Sequence, residues 1–470
     1  MKKIARKSML ALAIGLAFSA PVLAAGDENE VLIVQSAAAS VAEGNTATAT
    51  QSGELNVALI GQQGELNTTT VTQTGVWHEA SAESVGQSNT LTIDQQDDWH
   101  IVQVQAQGDG NKITSSQGGF FNQATLVVEG NDNQVDLRQN GEENEATADV
   151  AGNNNKMDAG QTGDRNWVNG TVAGDNNLLT ARQTGNAQEA GLIGATGNNN
   201  TADIEQEGNA NVAGVVGLEG NNNEFFMQQD GNLNVFIARD VSGDDNLVDV
   251  YQQGDDNQFL LQPFSGNDNV VFIQQEGNSN LIEADGGLVG NDNVVDVYQR
   301  GDENLALIAT GGNGLEVEVI QRGNNNQAGL VLEGDGSAAS ITSRGDDNFA
   351  VVDVTGEDND IVVNQNGDSN EAVVTGATTE SVADIQQTGD LNLVDLLVSG
   401  QQNELEILQR GNGNWISGDT APATVSGTGG LVDITQTGND NLVNLSQGGA
   451  GNVVTVMQTG DFNVANVSQN

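Results

Sequence analysis

The two histidines of the sequence, His78 and His100, are its clearest candidates for metal chemistry. They stand 22 residues apart, and each follows a tryptophan, Trp77 or Trp99. Imidazole nitrogens bind Zn²⁺ and Cu²⁺, but a zinc site needs three or four protein ligands. Because the chain has no cysteine to complete such a set, we favour another interpretation, in which both histidines fill one recurring position of a repeat.

Pairs of aspartates form a second candidate, because carboxylate oxygens are ligands that Ca²⁺ prefers. Calcium-binding β-rolls repeat every nine residues, whereas the period here is 11 and many equivalent positions hold asparagine. We therefore expect solvated carboxylates and no formed metal site. A secreted, calcium-ordered β-solenoid adhesin that stays non-fibrillar is the alternative function. The aspartates concerned are Asp244, Asp245, Asp255, Asp256, Asp346 and Asp347.

Catalysis is not expected from this composition. The chain has no cysteine nucleophile and no phosphate-binding GxxxxGK[ST] motif, and its carboxylates are spread along the sequence instead of being gathered. The sequence therefore predicts no catalytic residue, no cofactor and no enzyme activity. A formal net charge of −51 also predicts that the chain does not bind nucleic acid or anionic lipid.

The candidate residues belong to a GxxN unit that returns every 11 residues. The unit begins at Gly53 with Asn56 and at Gly64 with Asn67, and both histidines occupy its Asn position. A glutamine two residues before the glycine marks every second unit, which doubles the period to about 22 residues. Regular spacing of this kind indicates an array of stacked repeats.

Apolar and polar residues alternate between the Asn of one unit and the Gly of the next. Asn246, Val248, Val250, Gln252 and Gly254 share one parity, and a period of two indicates a β-strand with one buried face. Two short strands and two tight turns make one coil of about 22 residues, whose strands pair with their equivalents above and below. The predicted fold is all-β, a two-sided β-solenoid of about 19 stacked strand-turn-strand-turn coils with cross-β, amyloid-like pairing.

Gly and the polar residues after it form the predicted turns, since Gly, Asn and Asp tolerate the left-handed conformations of tight corners. Insertions, such as the extra stretch around residues 418–430 with Pro422, are expected as loops at these corners. The glycines assigned to turns are Gly141, Gly163, Gly254, Gly277, Gly367, Gly438 and Gly460.

The inward-facing glutamines and asparagines are predicted to form ladders. A carboxamide at the same place in each coil can donate to its copy on one side and accept from its copy on the other, which satisfies polar groups that are buried. For the asparagines a second interpretation stays open, that they are turn formers. The predicted ladder residues are Gln139, Asn144, Gln161, Asn166, Gln229, Asn234, Gln252, Asn257, Gln275, Asn280, Gln321, Asn326, Gln365, Asn370, Gln409, Asn414, Gln436, Asn441, Gln458 and Asn463.

The N-terminus has the pattern of a secretory signal peptide. Basic residues among the first seven precede an apolar run over residues 9–18, and Ala24 stands at the cleavage position. We therefore expect residues 1–24 to be removed. Residues 25–470 are expected to form one continuous solenoid that is secreted and not inserted in a membrane.

Units such as QTGDFNVANVSQN at the C-terminus resemble the repeats of curlins, the subunits of bacterial curli. The resemblance spans nearly the whole chain after the signal peptide, and by motif Gln436, Gly438, Asn441 and Gln447 correspond to inward ladder positions and a turn glycine of that family. It implies nucleated polymerisation into an extracellular, pilus-like functional amyloid at the cell surface that supports cell adhesion and the biofilm matrix. The implied partners are other copies of the chain, joined end to end, a fibre nucleator and an outer-membrane secretion apparatus.

The last repeat supplies a route to polymerisation. It keeps the full pattern through residues 458–469 instead of changing to a charged or proline-bearing cap. The unpaired N–H and C=O groups of an uncapped strand edge can template a strand of another copy. The resemblance and the uncapped edge together predict a fibre subunit, and whether the chain is the major subunit or the nucleator stays open.

Overall fold

The computed structural model describes residues 22–25, 27–36, 44–284, 286–418 and 422–469. All regular elements in these ranges are β-strands, so no described helix has the length and hydropathy that crossing a bilayer requires. The chain divides into two compact units, one ending at Ala187 and the other beginning at Gln188. Residues 1–21 of the expected signal peptide lie outside the described residues, and its cleavage and a single continuous solenoid both stay predictions.

The first unit is built, in its described part, from 15 strands of four to nine residues. They are β1 Val22–Ala25, β2 Glu30–Ser36, β3 Thr46–Glu54, β4 Val57–Glu65, β5 Thr68–Val76, β6 Glu79–Gln87, β7 Thr90–Asp98, β8 Ile101–Gln107, β9 Lys112–Phe120, β10 Gln123–Glu129, β11 Gln134–Glu142, β12 Glu145–Ala151, β13 Lys156–Thr162, β14 Trp167–Ala173 and β15 Leu178–Asn186.

Two parallel sheets make up this unit. The odd-numbered strands β1 to β15 form sheet A and the even-numbered strands β2 to β14 form sheet B. Equivalent residues of successive coils pair directly, as Thr68 does with Thr90. One strand of each sheet and the two corners between them make one coil of the predicted β-solenoid, which is thereby confirmed.

The second unit repeats this plan with 29 described strands. They are β16 Glu189–Thr196, β17 Thr201–Asn209, β18 Val212–Val216, β19 Glu224–Asn232, β20 Val235–Arg239, β21 Val241–Ser242, β22 Leu247–Gln253, β23 Gln258–Leu261, β24 Phe264–Ser265, β25 Val270–Glu276, β26 Leu281–Ala284, β27 Leu288–Val289, β28 Val294–Arg300, β29 Leu305–Gly311, β30 Glu316–Arg322, β31 Gln327–Leu332, β32 Ala338–Arg344, β33 Phe349–Thr355, β34 Asp360–Asn366, β35 Glu371–Thr379, β36 Val382–Thr388, β37 Leu393–Gln401, β38 Glu404–Arg410, β39 Trp415–Ser417, β40 Ala423–Thr428, β41 Leu431–Thr437, β42 Leu442–Gln447, β43 Val453–Thr459 and β44 Val464–Gln469.

Sheet A of the second unit is a parallel row that begins with β17 and ends with β43. Its strands follow in the order β17, β19, β22, β25, β28, β30, β32, β34, β36, β38, β41 and β43. The other strands, from β16 to β44, form the parallel sheet B.

The predicted alternation places the core between the two sheets. In β22, Val248 and Val250 are buried, and in β34, Ile361 and Val363 are buried, while residues of the opposite parity face outward. The inward faces of sheets A and B therefore meet in a narrow interior that small and β-branched residues fill.

The extra residues of longer coils lie within the strand rows of sheet B, not at the corners as expected. Gly217 and Asp240 have φ of 72° and 52° at equivalent points of neighbouring coils, just after β18 and β20 end. The extra stretch near residues 418–430 follows the same rule, because β39 and β40 both pair with β37. A bulge inside a strand absorbs an added residue locally, whereas a corner insertion would displace the Asn and Gly that bond to their copies in the next coil.

Candidate functional site

A row of glutamines runs through the interior near the ends of the sheet A strands. In the first unit, Nε2 of Gln139 donates to Oε1 of Gln161 at 2.8 Å and to the backbone carbonyl of Gln123 in sheet B at 3.1 Å. Gln161 donates in the same way to Gln183 at 3.1 Å and to the carbonyl of Glu145. One N–H of each carboxamide thus extends the stack and the other joins the two sheets, a cross-sheet bond that alternation alone did not reveal.

The second unit contains the same row. Nε2 donates to the next Oε1 between Gln229 and Gln252, Gln252 and Gln275, Gln365 and Gln387, Gln387 and Gln409, Gln409 and Gln436, and Gln436 and Gln458, at 2.7 to 3.1 Å. The row is interrupted once in this stretch. Gln321 accepts from Gln299 at 2.8 Å, but the next coil has Ser343, whose hydroxyl donates to Gln365 at 3.0 Å.

Two rows of asparagines stand at the corners, one before the strands of each sheet. In the first unit, the backbone N–H and Nδ2 of Asn166 both donate to Oδ1 of Asn144 at 3.0 Å, and Nδ2 of Asn144 donates to the carbonyl of Gly163 at 2.7 Å. The two interpretations of these asparagines therefore combine, because each side chain bonds both its copy in the stack and a turn glycine of the next coil.

The remaining asparagines assigned to the ladder lie in the second unit and have the same environment. Each takes part in a hydrogen bond of 2.9 to 3.3 Å from a backbone N–H to Oδ1 of the equivalent asparagine one coil earlier, either as the donor or as the acceptor. All of these side chains except that of the terminal Asn463 are buried. They are Asn234, Asn257, Asn280, Asn326, Asn370, Asn414, Asn441 and Asn463.

The corner glycines have backbone conformations that exclude a side chain. All seven glycines assigned to turns have φ between 99° and 131°, and a Cβ on Gly277 would lie 2.1 Å from the carbonyl oxygen of Gly301 in the next coil. Two residues after the glycine, the chain again adopts positive φ, and this position is not confined to the Gly, Asn and Asp residues that tolerate it best. Leu66, Trp77 and Phe121 adopt φ of 59°, 66° and 62°, because the stacked coils impose the corner whatever the residue type.

The aspartates considered as calcium ligands lie at these corners, where they accept hydrogen bonds. Oδ1 of Asp255 accepts from the backbone N–H and Nδ2 of Asn232 at 2.9 and 2.8 Å, and Oδ1 of Asp346 accepts from the backbone N–H of Asn324 at 2.8 Å. Asp244, Asp245, Asp256 and Asp347 also accept hydrogen bonds from neighbouring amides. Within the described ranges, no three His, Cys, Asp or Glu side chains are grouped so that they could hold a metal ion.

The two histidines replace asparagine in one corner row of the first unit, as their spacing predicted. The rings stack at 5.2 Å, and both are buried. Nδ1 of His78 accepts the backbone N–H of His100 at 3.4 Å, and Nε2 of His78 lies 3.2 Å from the carbonyl of Thr74. Nδ1 of His100 accepts the backbone N–H of Asn122 at 3.2 Å, and Nε2 of His100 lies 2.6 Å from the carbonyl of Gln96. Only a neutral ring protonated at Nε2 can accept at Nδ1 and also donate from Nε2.

This geometry makes the histidine pair sensitive to acid. Burial lowers the pKa of both side chains from the ordinary value of 6.5, and for His100 the nearby His78 adds to the lowering, although backbone carbonyls, Asp97 and Asp98 act against it. The unfolded chain therefore takes up protons at a higher pH than the folded chain. The contribution of the two neutral histidines to the free energy of unfolding is complete above about pH 6.5, and it is lost as pH falls through that value towards the lowered pKa of the folded state.

We expect the urea midpoint of the first unit, followed by tryptophan fluorescence, to fall between pH 7 and pH 5. In the double variant His78→Asn/His100→Asn, this decrease should disappear, because asparagine restores the uncharged ladder of the neighbouring coils. In the second unit, the raised pKa of Asp249 and Asp296, caused first by burial, acts with the opposite sign on the stability of that unit and nearer pH 4. An unchanged decrease in the double variant would rule out the histidines as its cause.

Beside the histidines, aromatic side chains stack on the outside of the corner. The rings of Trp77 and Trp99 lie 4.9 Å apart with 6° between their planes, and Phe121 follows Trp99 at 5.8 Å. The 22-residue spacing of the two tryptophans accounts for this surface stack, which shows that the one-residue-per-coil spacing extends to exposed side chains.

Both sheets of the second unit end at open strand edges. Within the described residues, β43 pairs only with β41 and β44 only with β42. In the preceding coil, the N–H of Leu431 donates to the carbonyl of Asn452 and that of Leu442 donates to the carbonyl of Asn463, whereas the equivalent N–H groups of Val453 and Val464 have no partner strand among the described residues. Backbone donors and acceptors therefore point outward from the last coil.

The glutamine row of sheet B is limited to the terminal coils. Gln35 and Gln62 pair in the first unit, where Nε2 of Gln35 donates to Oε1 of Gln62 at 2.6 Å, and Gln447 and Gln469 pair at the end of the second unit. Apolar or small residues stand at the equivalent positions between them, such as Ala106 and Val128 in the first unit and Val398 and Val425 in the second. The Oε1 atoms of Gln447 and Gln469 are buried and accept no hydrogen bond among the described residues.

A comparison with protein families finds this repeat again. The model of the curlin associated repeat matches residues 42–75, 64–96, 130–163, 197–231, 290–321, 356–389 and 438–470. A search of curated proteins finds no match. The seven matches, together with the stacked coils and their Gln, Asn and Gly rows, show that the chain belongs to the curlin-repeat family.

Proposed function

We propose that this chain is a structural subunit of an extracellular, curli-like amyloid fibre, and that copies join end to end by strand addition at the open edges of their terminal coils. The fibre would support cell adhesion and the biofilm matrix, as the family resemblance implies. The chain would carry out no catalysis, and its secretion would use an outer-membrane apparatus and its assembly a nucleator.

The observation that carries this proposal is the return of glutamine to sheet B in the terminal coils. A buried carboxamide without a partner destabilises a fold by about 1–3 kcal/mol, so the apolar residues of the intervening coils are the more stable choice for an isolated chain. Gln469 lies on the last described strand, where Nε2 bonds, among the described residues, only the carbonyl of Val453. A second copy that presents Gln35 to it would continue the row across the junction.

Two further features of the last coil support docking at that end. Oδ1 of Asn463 has no backbone N–H to accept within the described chain, whereas Oδ1 of Asn441 accepts that of Asn463 at 3.0 Å. The side chains of Met457 and Phe462 are 78% and 75% exposed, and a further coil would bury part of this apolar surface. Backbone, carboxamide and apolar contacts would all be extended by the same added coil.

Proline at the outward-facing positions of the last coil tests the proposal. In parallel strands, alternate residues bond to opposite neighbours, so Thr455 and Asn466, two residues after Val453 and Val464, also point their N–H groups outward. The double variant Thr455→Pro/Asn466→Pro should keep its bonds to β41 and β42 but lose the donors for the next copy. Mixed at one part in ten with the wild-type chain, it should terminate growing ends and reduce thioflavin T elongation rates about ten-fold.

The double variant Thr455→Ala/Asn466→Ala is the matched control, because alanine retains both N–H groups, and it should elongate at the wild-type rate. Circular dichroism of the unassembled proteins checks that the proline variant is folded. A folded proline variant that elongates normally and does not slow the wild-type chain would show that the C-terminal edges of β43 and β44 are not the site of growth.

A further inference from the structure

Charges are segregated along one outward-facing row of sheet A in the second unit. The row, named here the edge strip, occupies the position directly after the buried glutamine of each strand, or after Ser343 in β32, and its members pair in register from coil to coil. In order along the stack, the edge strip consists of Glu207, Asp230, Gln253, Glu276, Arg300, Arg322, Arg344 and Asn366.

Three consecutive arginines are an unexpected feature of this chain, which contains 14 Lys and Arg against 65 Asp and Glu. All three arginine side chains are exposed, and stacking like charges one coil apart is unfavourable. Arg300 lies 3.7 Å from Glu276 in the same strip, and the guanidinium of Arg322 lies 5.5 Å from the ring centroid of Tyr298. Among the described residues, neither Arg322 nor Arg344 forms an ion pair with a carboxylate.

When two copies of the edge strip lie side by side in opposite directions, acidic residues of one copy face arginines of the other. A two-fold axis between Glu276 and Arg300 would place these two residues opposite each other across two antiparallel strips. The same operation would place Asp230 of one strip opposite Arg344 of the other, and Gln253 opposite Arg322. Such an interface is isologous, with one patch on both partners, and both strips have one residue per coil, so their spacings match without adjustment.

We propose that the edge strip is a lateral docking surface for a second, antiparallel copy of this chain. In the fibres of the proposed function, on which this consequence depends, many weak strip contacts would act together and bundle neighbouring filaments. The net charge of −51 opposes approach, but at 0.15 M ionic strength the Debye length is about 8 Å. Repulsion is then screened at longer range, while ion pairs in direct contact are screened less.

A set of charge variants of the full-length mature chain separates strip pairing from general repulsion. Arg344→Glu should reduce the bundled fraction, measured by electron microscopy at 0.15 M salt, about five-fold or more. Asp230→Arg should also reduce it, although this change makes the chain less negative, so that simple repulsion predicts more bundling. The combined variant Asp230→Arg/Arg344→Glu exchanges the two opposing charges and should restore wild-type bundling.

Arg410→Glu is the matched control, because Arg410 occupies the same position of β38 between Thr388 and Thr437 and has no acidic counterpart in the strip. It should leave bundling unchanged. Equal effects of Arg344→Glu and Arg410→Glu, or increased bundling in Asp230→Arg, would overturn the proposal. Thioflavin T elongation should be the same for all of these variants, which keeps lateral pairing distinct from end-to-end growth.

Thiol cross-linking tests the register and does not require fibres. Since the chain has no cysteine, Glu207→Cys and Asn366→Cys each introduce a single thiol, at opposite ends of the edge strip. A short bifunctional thiol reagent should join the two variants when they are mixed, at least five-fold more than it joins either variant to itself. Preferential cross-linking of each variant to itself would indicate parallel strips, and equal yields would indicate chance collisions. Either result would contradict the proposal, whether or not the protein forms fibres.

Discussion

Replacing Asn257 by aspartate is expected to lower the free energy of unfolding of the second unit by about 3–5 kcal/mol, although the side-chain volume hardly changes. Nδ2 of Asn257 donates to Oδ1 of Asn234 at 3.1 Å, to the carbonyl of Gln253 at 3.2 Å and to the carbonyl of Gly277 at 2.7 Å. A carboxylate at this buried site would place negative charge against three acceptors.

The measurement is the denaturant midpoint, supported by hydrogen exchange of peptides that cover β22 and β25, since local opening is expected to be largest there. Asp256→Asn, the reverse exchange at the exposed neighbouring residue, is the matched control and should change the unfolding free energy by less than about 0.5 kcal/mol. If Asn257→Asp proved as stable as the wild-type chain, the asparagines would act as turn formers alone, because aspartate forms turns equally well.

Replacing Gly277 by alanine is expected to be the other severe change, with a loss of about 3 kcal/mol or more. Gly277 has φ of 124°, and the new methyl group would lie 2.1 Å from the backbone oxygen of Gly301. The clash is with backbone, so it cannot be relieved by a side-chain rotation. The corner would have to open, which would also break the hydrogen bond from Nδ2 of Asn257 to the carbonyl of Gly277.

Gly329→Ala in the same unit is the control, because a Cβ there would lie 3.7 Å from Val351, an ordinary contact. Alanine at this strand position should be neutral or stabilising by up to about 1 kcal/mol. Denaturant midpoints of both variants, measured by circular dichroism, check the pair. Equal midpoints for the two alanine variants would show that the corner adjusts more easily than the stacked backbone geometry indicates.

The sequence predicts the fold of this chain well because one local pattern is repeated many times. Alternation within each strand identifies the buried face, and the period identifies which residues stack, so the pairing of Gln139 with Gln161 follows from their spacing. The histidine and tryptophan stacks were predictable for the same reason, since a residue that recurs at one period must meet its copy in the next coil.

Other features depend on contacts that spacing does not encode. The bulges at Gly217 and Asp240 lie within the strand rows of sheet B, because the Asn and Gly atoms at the corners are already engaged in hydrogen bonds. Residue spacing does not encode those hydrogen bonds. The cross-sheet bond of Gln139 depends on the distance between sheets, and positive φ at Leu66 contradicts residue preference. The return of glutamine at Gln447 and Gln469 is visible in the sequence, but its meaning required the knowledge that Nε2 of Gln469, in the last described coil, bonds the carbonyl of Val453 and no further glutamine among the described residues.

Fibre diffraction from the mature chain, residues 25–470, grown with and without a calcium chelator, tests the central claim most directly. End-to-end addition of coils predicts thioflavin-positive fibres with a meridional reflection near 4.7–4.8 Å, unchanged by chelation, because every added strand continues the parallel pairing of the coil before it. A soluble chain that folds only when calcium is present, and gives no such reflection, would contradict the claim and favour a calcium-ordered adhesin.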